Sequence, residues 1–328
     1  MTLGRHASRS DTGRKRRRNE DSFVVRPPLF AVADGMGGAQ AGEVASRLAV
    51  EALAEHDPAV GGEERVAEII QEANRRVYHH QGEHAATSGM GTTMTVALVE
   101  NGTVAIGHVG DSRAYLIRDG EVEQLTDDHS LVAELMRSGK LSPEEAEAHP
   151  QRSVITRALG SDPDVDVDTF TVDARPGDVF LLCSDGLTSM IGDEAILAAV
   201  EQRRGDLDGA AAELVRLANR AGGEDNITVV FFEIAEHGAA AADDTAVLPA
   251  AEAATAPEKD EEDTLDELDR VPAVDTQVFS VEEVKAVAAA APRRRSRQDE
   301  TAKRVLATLL VLLVLAAIAV LAVWGLLR

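Results

Sequence analysis

Cysteine is nearly absent. Cys183 stands alone among 328 residues, so no disulfide can close within the chain. It sits beside the apolar run Val179-Phe180-Leu181-Leu182 and reads as a small buried hydrophobe rather than a nucleophile. No Cys/His set suited to zinc is present. No apolar stretch follows the basic N-terminus, which argues against a secretory signal. Gly35-Met36-Gly37-Gly38 lacks the lysine of a phosphate-binding loop, and no internal repeat is evident. Positive charge is in deficit, with 33 Lys and Arg against 57 Asp and Glu and a net charge of −24. Such a chain is repelled by nucleic-acid phosphates, so no nucleic acid is expected as a partner, yet it can concentrate divalent cations. Aromatic residues vanish from 237 until Phe279.

What is present divides the chain. Residues 1–236 alternate apolar and polar runs as a folded domain does, and the apolar fraction of 44% suits a globular core. Residues 237–292 are rich in Ala, Asp, Glu, Thr and Pro without periodicity, a composition that cannot offset ordering entropy and predicts a disordered linker. Residues 293–304 are basic, with Arg293, Arg294, Arg295, Arg297, Lys303 and Arg304. Over 305–327 every residue is apolar or small, Thr308 and Gly325 being the mildest exceptions. That length predicts a single transmembrane helix, and the preceding basic cluster predicts a cytoplasmic placement of the domain at the cell membrane.

Within the domain, short β-branched and apolar runs predict strands at 22–25, 29–33, 93–99, 104–108, 114–118, 121–124, 166–172, 178–184 and 227–234. Asn101-Gly102 and Asp119-Gly120 each separate two such runs, the signature of a hairpin. Helical periods occupy 42–55, 63–80, 131–138, 143–148, 193–203 and 207–221. Ser142-Pro143-Glu144-Glu145 carries a serine cap, a first-turn proline and a glutamate three past the cap. Hairpin-like strands with two well-separated helix pairs predict antiparallel sheets covered by helices, an α+β arrangement rather than repeated βαβ units.

Four acidic sites fall at strand ends beside small residues: Asp34-Gly35-Met36-Gly37-Gly38, Gly110-Asp111-Ser112, Ser184-Asp185-Gly186 and Glu224-Asp225-Asn226. One Asp-Gly alone is most simply a turn. Four beside buried-type strands would converge on one volume, where like charges repel unless cations join them. Hard divalent ions with oxygen ligands meet that need. Upstream, Arg16-Arg17-Arg18-Asn19-Glu20-Asp21 adds guanidinium groups that match phosphate oxygens.

In this order the motifs Arg-x-x-Asn-Glu-Asp, Asp-Gly-Met-Gly-Gly, Gly-Met-Gly-Thr-Thr at 89–93, Gly-Asp-Ser-Arg, His-Pro-Gln-Arg-Ser at 149–153, Ser-Asp-Gly and Asp-Asn-Ile-Thr resemble the metal-dependent protein phosphatases of type 2C, the PPM family, and especially actinobacterial members that oppose Ser/Thr kinases. The resemblance covers about 4–235. It implies a four-layer αββα sandwich of two antiparallel sheets flanked by helix pairs. It also implies a phosphoserine/phosphothreonine protein phosphatase using two or three Mn²⁺ or Mg²⁺ ions, with phosphorylated proteins, including bacterial Ser/Thr kinases, as partners. Asp34 and the Gly35 carbonyl would hold two metals, Asp185 and Asp225 would complete the first, and Glu20 would act from the outer shell. Asp111, Asp185 and Ser153 would hold a third, weaker metal. Arg16 would grip the phosphate, and a metal-bridging water would attack phosphorus with no phosphoenzyme.

Where eukaryotic relatives carry a histidine proposed as the acid, this chain has Met36, which has no proton to give. His129 is the candidate general acid; its alternative is a place in a helix's first turn after a capping Asp128. His108 reads as a core histidine, and 138–161 matches the family's flap. Thr245 and Thr276, each preceded by acid and followed by apolar residues, resemble kinase acceptor sites in the linker.

Overall fold

The computed structural model describes residues 2–37, 41–55, 61–236 and 277–278. The predicted linker over most of 237–292, Thr245 and Thr276 within it, the basic segment 293–304 and the predicted membrane helix 305–327 lie outside the described residues. Among the described residues no helix is long and apolar enough to cross a membrane.

Two antiparallel sheets form the centre. The first runs in the order β1 (Thr2–Asp11), β12 (Ile227–Ala235), β11 (Val179–Cys183), β7 (Arg113–Arg118), β8 (Glu121–Gln124). The second runs β10 (Asp168–Asp173), β6 (Thr103–Val109), β5 (Met94–Glu100), β3 (Leu29–Met36), β2 (Asp21–Arg26), with the short β4 (Gly91–Thr92) beside the end of β3. The predicted turns close the β5–β6 and β7–β8 hairpins, with Asn101 and Asp119 at positive φ (44° and 53°).

The period-2 alternation of these strands sorts side chains onto two faces. Phe30, Val32, Ile106, Leu116, Phe180, Leu182 and Phe232 fill the space between the sheets. There Phe232 stacks between Phe30 and Phe180 at centroid separations of 4.5 and 4.9 Å. The outer face of the second sheet packs Leu29, Ala31, Val96 and Leu98 against α1 (Ala41–Glu55) and α2 (Gly62–Glu83) through Ala45, Ala49, Leu53, Ile69, Ile70 and Ala73. The first sheet packs Tyr115, Leu181, Cys183 and Phe231 against α6 (Asp193–Gln202) and α7 (Leu207–Ala221). Cys183 is fully buried and its thiol is pushed up to about 12 by desolvation, consistent with a packing residue. The result is the helix–sheet–sheet–helix layering the sequence implied.

Between β8 and β10 lies a small excursion. It comprises α3 (Leu131–Arg137), α4 (Pro143–Glu147) with its serine capping box formed as read, and β9 (Val154–Ile155). β13 (Gln277–Val278) pairs with β9 in parallel.

Candidate active site

Hydrogen bonding brings Asp34 and Asp21 face to face: they are partners in the β2–β3 register. Asp185 opens the short helix α5 (Asp185–Thr188) just past β11, Asp225 stands just before β12, and Asp111 lies in the turn between β6 and β7. Strand ends from both sheets therefore deliver carboxylates to one end of the sandwich. The backbone of Asp34 is pinned: its N–H donates to Thr93 Oγ1 (2.9 Å), and its carbonyl accepts from the Thr93 N–H and Thr92 Oγ1 (2.9 Å each). The Gly35 N–H donates to the Glu20 carbonyl at 3.1 Å. A Cβ on Gly35 would come within 2.1 Å of the Gly42 carbonyl, and one on Gly186 within 2.0 Å of the Asn226 carbonyl. Both contacts are sterically impossible for any other residue without backbone movement, so the Asp-Gly pairs are close-packing requirements and not merely turns.

The charges of these carboxylates act on one another. Asp34 is held well above the usual carboxylate range, first by desolvation and then by Asp21, Asp185, Asp225 and Asp111. Desolvation and Asp225 push Asp185 up to about 6, against a hydrogen-bonding contact with Asp34. Asp111 is also held well up, by desolvation and then Asp185. Asp21 is raised to about 7 by burial, although Ser184 and Thr228 donate to its Oδ2 at 2.8 and 2.6 Å. Asp185 Oδ1 and Asp21 Oδ1 are buried without a hydrogen-bond partner. Among the described residues no group of three or more His, Cys, Asp or Glu side chains is placed so that it could hold a metal ion. The chain provides desolvated carboxylates gathered at one end of the sandwich, Asp21 Oδ1 and Asp185 Oδ1 among them without a hydrogen-bond partner, and oxygen donors of this kind are the chemistry hard divalent cations take.

Arg16 is the cation at this centre. Its Nη2 lies 2.8 Å from Asp225 Oδ2, both side chains being about a fifth exposed. Burial lowers its pKa, but Asp225, then Asp34 and Glu20, raise it overall. Glu20 reaches the same neighbourhood: a Cβ on Gly42 would touch its Oε2 at 2.8 Å. Asp111, Ser153 and Asp185 share a cavity of about 570 Å³ whose walls include Arg113, Arg152, Met136 and Met190. Arg113 is fixed there by a two-pronged pair with Asp128 at 2.8 and 2.7 Å.

His129 is placed differently from an exposed acid. It is 3% exposed. Its Nδ1 accepts from the Gly110 N–H at 3.0 Å and its Nε2 faces Asp168 Oδ2 at 3.1 Å. Desolvation and Arg157 hold its pKa below the usual value. With both nitrogens engaged, His129 braces the turn that bears Asp111 and has no nitrogen free to donate to a substrate. The helix behind it is capped by Ser130, not Asp128. His108 is a core residue as read, its ring between Thr95 Oγ1 (3.0 Å) and the Asp127 carbonyl (3.2 Å), and burial drives it down to about 3. Asn226, quoted in the sequence motifs but given no role there, has an Oδ1 that accepts from the Glu20 N–H (2.7 Å) while its Nδ2 donates to the Thr12 and Arg18 carbonyls (2.9 Å each). Asp21 likewise received no role. An Asn after an Asp at a strand start was the available signal for the first, and complete burial, invisible in sequence, the cause for the second.

A two-sheet α+β sandwich with an oxygen-donor centre at the joined strand ends defines the structural class. The chain belongs to the protein phosphatase 2C family, whose model matches residues 14–221. The serine/threonine protein phosphatase PstP of Mycobacterium tuberculosis is 42% identical over 236 residues, a match covering 71% of this chain and 45% of the relative. The chain thus spans about half the length of that mycobacterial relative. The serine/threonine phosphatase Stp of Listeria innocua is 42% identical over 237 residues, covering 69% of this chain and 94% of the relative. The crystal structure of the M. tuberculosis phosphatase PstP/Ppp superposes with a TM-score of 0.68 at 41% identity, covering 72% of this chain and all of that one. The catalytic domain of PstP in complex with two manganese ions gives 0.65 at 39% identity, covering 71% and 99%.

Proposed function

We propose that residues 2–236 form a metal-dependent phosphoserine/phosphothreonine protein phosphatase acting on phosphorylated proteins, bacterial Ser/Thr kinases among them. One observation carries the reading: Asp34, Asp185 and Asp111 are desolvated together at one end of the sandwich, where Asp185, Asp111 and Asp225 act on Asp34's charge beside Arg16, which pairs with Asp225 at 2.8 Å, next to an open cavity lined by Asp111 and Asp185. Asp34, the Gly35 carbonyl, Asp185 and Asp225 would hold two Mn²⁺ or Mg²⁺ ions, and Asp111, Asp185 and Ser153 a third, with Glu20 behind them. Bound there, such ions supply an acidified water and neutralise charge on a phosphoryl group. Arg16 supplies the protein's own contribution. Its planar fork matches two phosphate oxygens, and its pairing with Asp225 keeps it at the centre until an anion competes for it. The flap residues Arg152 and Ser153 line the approach. Cys183 takes no part, and Met36, 4% exposed, packs against Ile155 and Ala158.

Phosphate release from a phosphothreonine peptide in Mn²⁺, none in EDTA, and no cleavage of single-stranded DNA under the same conditions is the expected result; nuclease activity, or peptide turnover indifferent to EDTA, would overturn the reading. We further propose a membrane tether at 305–327, supported by the uninterrupted apolar run and the basic residues before it. Expressed whole in a bacterium, the chain should sediment with membranes and resist carbonate extraction; recovery in the soluble fraction would refute the tether alone.

A further inference from the structure

The turn between β1 and β2 carries the longest unbroken cationic run in the sequence, Arg14-Lys15-Arg16-Arg17-Arg18. It does so in a chain of net charge −24. The backbone beneath the run is held at both ends. Gly13 takes φ 75°, its N–H donates to Asp11 Oδ1 at 2.9 Å, and a Cβ there would lie 2.2 Å from the Asp225 carbonyl. The Arg14 and Lys15 N–H groups both donate to the Gly223 carbonyl, at 2.7 and 3.2 Å. At the far end, Asn226 Nδ2 donates to the Arg18 carbonyl at 2.9 Å. The loop is therefore fastened to residues 223–226, the segment that also supplies Asp225.

On this fixed backbone the side chains divide. Arg16 turns inward to Asp225 and is 22% exposed. Arg14, Lys15, Arg17 and Arg18 are exposed. Arg18 approaches Glu43 at 3.9 Å. Glu224, beside the Gly223 anchor, faces Arg152 at 4.0 Å. Among the described residues, Arg14, Lys15 and Arg17 have no ion pair and no side-chain hydrogen bond. Neighbouring cations repel one another, a cost that an anionic ligand relieves.

We propose that Arg14, Lys15 and Arg17 form a specificity element that binds Asp and Glu side chains flanking the phosphorylated residue of a peptide whose phosphate reaches Arg16. The substrate class selected is the acidic phosphopeptide. Each of the three cations stands within two residues of Arg16. At about 3.3 Å per extended residue, they reach substrate positions a few places from the phosphothreonine. Continuity with Arg16 favours a phosphopeptide over a lipid surface: one loop presents an inward fork for the phosphate and outward cations for its neighbours. A single exposed ion pair contributes little. Several on one fastened loop act together and steer an acidic ligand toward the centre. The inference rests on the phosphatase reading and names its substrate class.

Two phosphothreonine peptides of equal length test it, one flanked by Asp and Glu, the other by Gln and Ala. The parent should turn over the acidic peptide with a kcat/KM about tenfold above that of the neutral one, the size expected of three exposed ion pairs together. That ratio should shrink toward one as salt rises from about 0.05 M to about 0.5 M, because exposed charges are screened. Arg14→Ser, Lys15→Ser and Arg17→Ser combined in one chain should bring the ratio to about one through KM, and changing all three to Glu should invert it. Equal use of both peptides by the parent, or a ratio that survives the triple serine change, overturns the proposal. So does a triple serine change that costs only binding to phosphatidylserine vesicles. A parent that hydrolyses neither peptide in Mn²⁺ refutes the phosphatase reading instead. Fluorescence anisotropy of the labelled acidic peptide then judges the loop: the triple serine chain should bind it about tenfold more weakly than the parent, and equal binding overturns the proposal.

Discussion

Asp34→Asn is expected to lower Mn²⁺-dependent turnover of a phosphothreonine peptide by about a thousandfold or more, with the fold intact. The size follows from the proposed role: a carboxylate that held the catalytic cations would contribute several kcal/mol of charge stabilisation to phosphoryl transfer, and about 4 kcal/mol is a thousandfold in rate. The fold should survive because what pins position 34 is backbone. Its N–H and carbonyl bond to Thr93 and Thr92, and asparagine keeps all three bonds and nearly the same volume. The substitution also removes a charge that desolvation and four neighbouring carboxylates oppose. Asp185→Asn should behave alike, since Asp185 belongs both to the carboxylate group and to the cavity. Turnover within tenfold of the parent in either variant would dismiss the oxygen-donor centre as the seat of chemistry.

The glycines of this centre were readable in the sequence, because glycine at these strand ends is forced by close packing. Gly35 and Gly186 face the Gly42 and Asn226 carbonyls too closely for a Cβ, so the Asp-Gly spelling recorded one close approach to the next element and one to a loop forty residues on. The buried strands and both helix pairs were legible for a related reason: their apolar periods match the faces they bury, as in Leu29, Ala31 and Ala33 on one side of β3 and Phe30 and Val32 on the other. β1 was not legible. Its sequence, Thr2 to Asp11, is mostly polar and contributes only Ala7 and the partly buried Leu3 to the core. It is a strand because β12 offers it an edge, and an edge strand needs no apolar alternation. The short β4 and β9 were missed for the same reason, as backbone pairings of two residues without a pattern. His129 shows the opposite limit. Its sequence neighbours suggested a residue near the chemistry, and it is near, yet the direction of its nitrogens depends on Gly110 and Asp168, which no local spelling encodes.

The second large effect concerns stability without metal. Asp21 and Asp185 are raised to about 7 and about 6, and Asp34 well above the usual range, chiefly by desolvation. In the unfolded chain each titrates near 3.9. Below about pH 4 both states carry these protons and nothing is lost. Between about pH 4 and 7 the unfolded chain releases protons that the fold retains, so the stability linked to these groups declines as pH rises and is lost above the folded values. In EDTA the melting temperature should therefore fall from about pH 5 to about pH 7.5. Cations reverse the sign of the problem, because the ionised form is the one they bind. At a hundredfold excess over Kd, Mn²⁺ should restore about 2.7 kcal/mol, about 5–10 °C for a domain of this size, with a smaller gain at about pH 5 where protons compete. General repulsion in a chain of net charge −24 also weakens the fold as pH rises, so the decisive comparison is with Asp34→Asn. That variant should melt higher than the parent in EDTA at about pH 7.5, show a shallower pH slope, and lose most of the Mn²⁺ gain. If its slope and its response to Mn²⁺ matched the parent's, the carboxylates would not be the cation site, and the coupling among them would be a cost the fold carries for some other end.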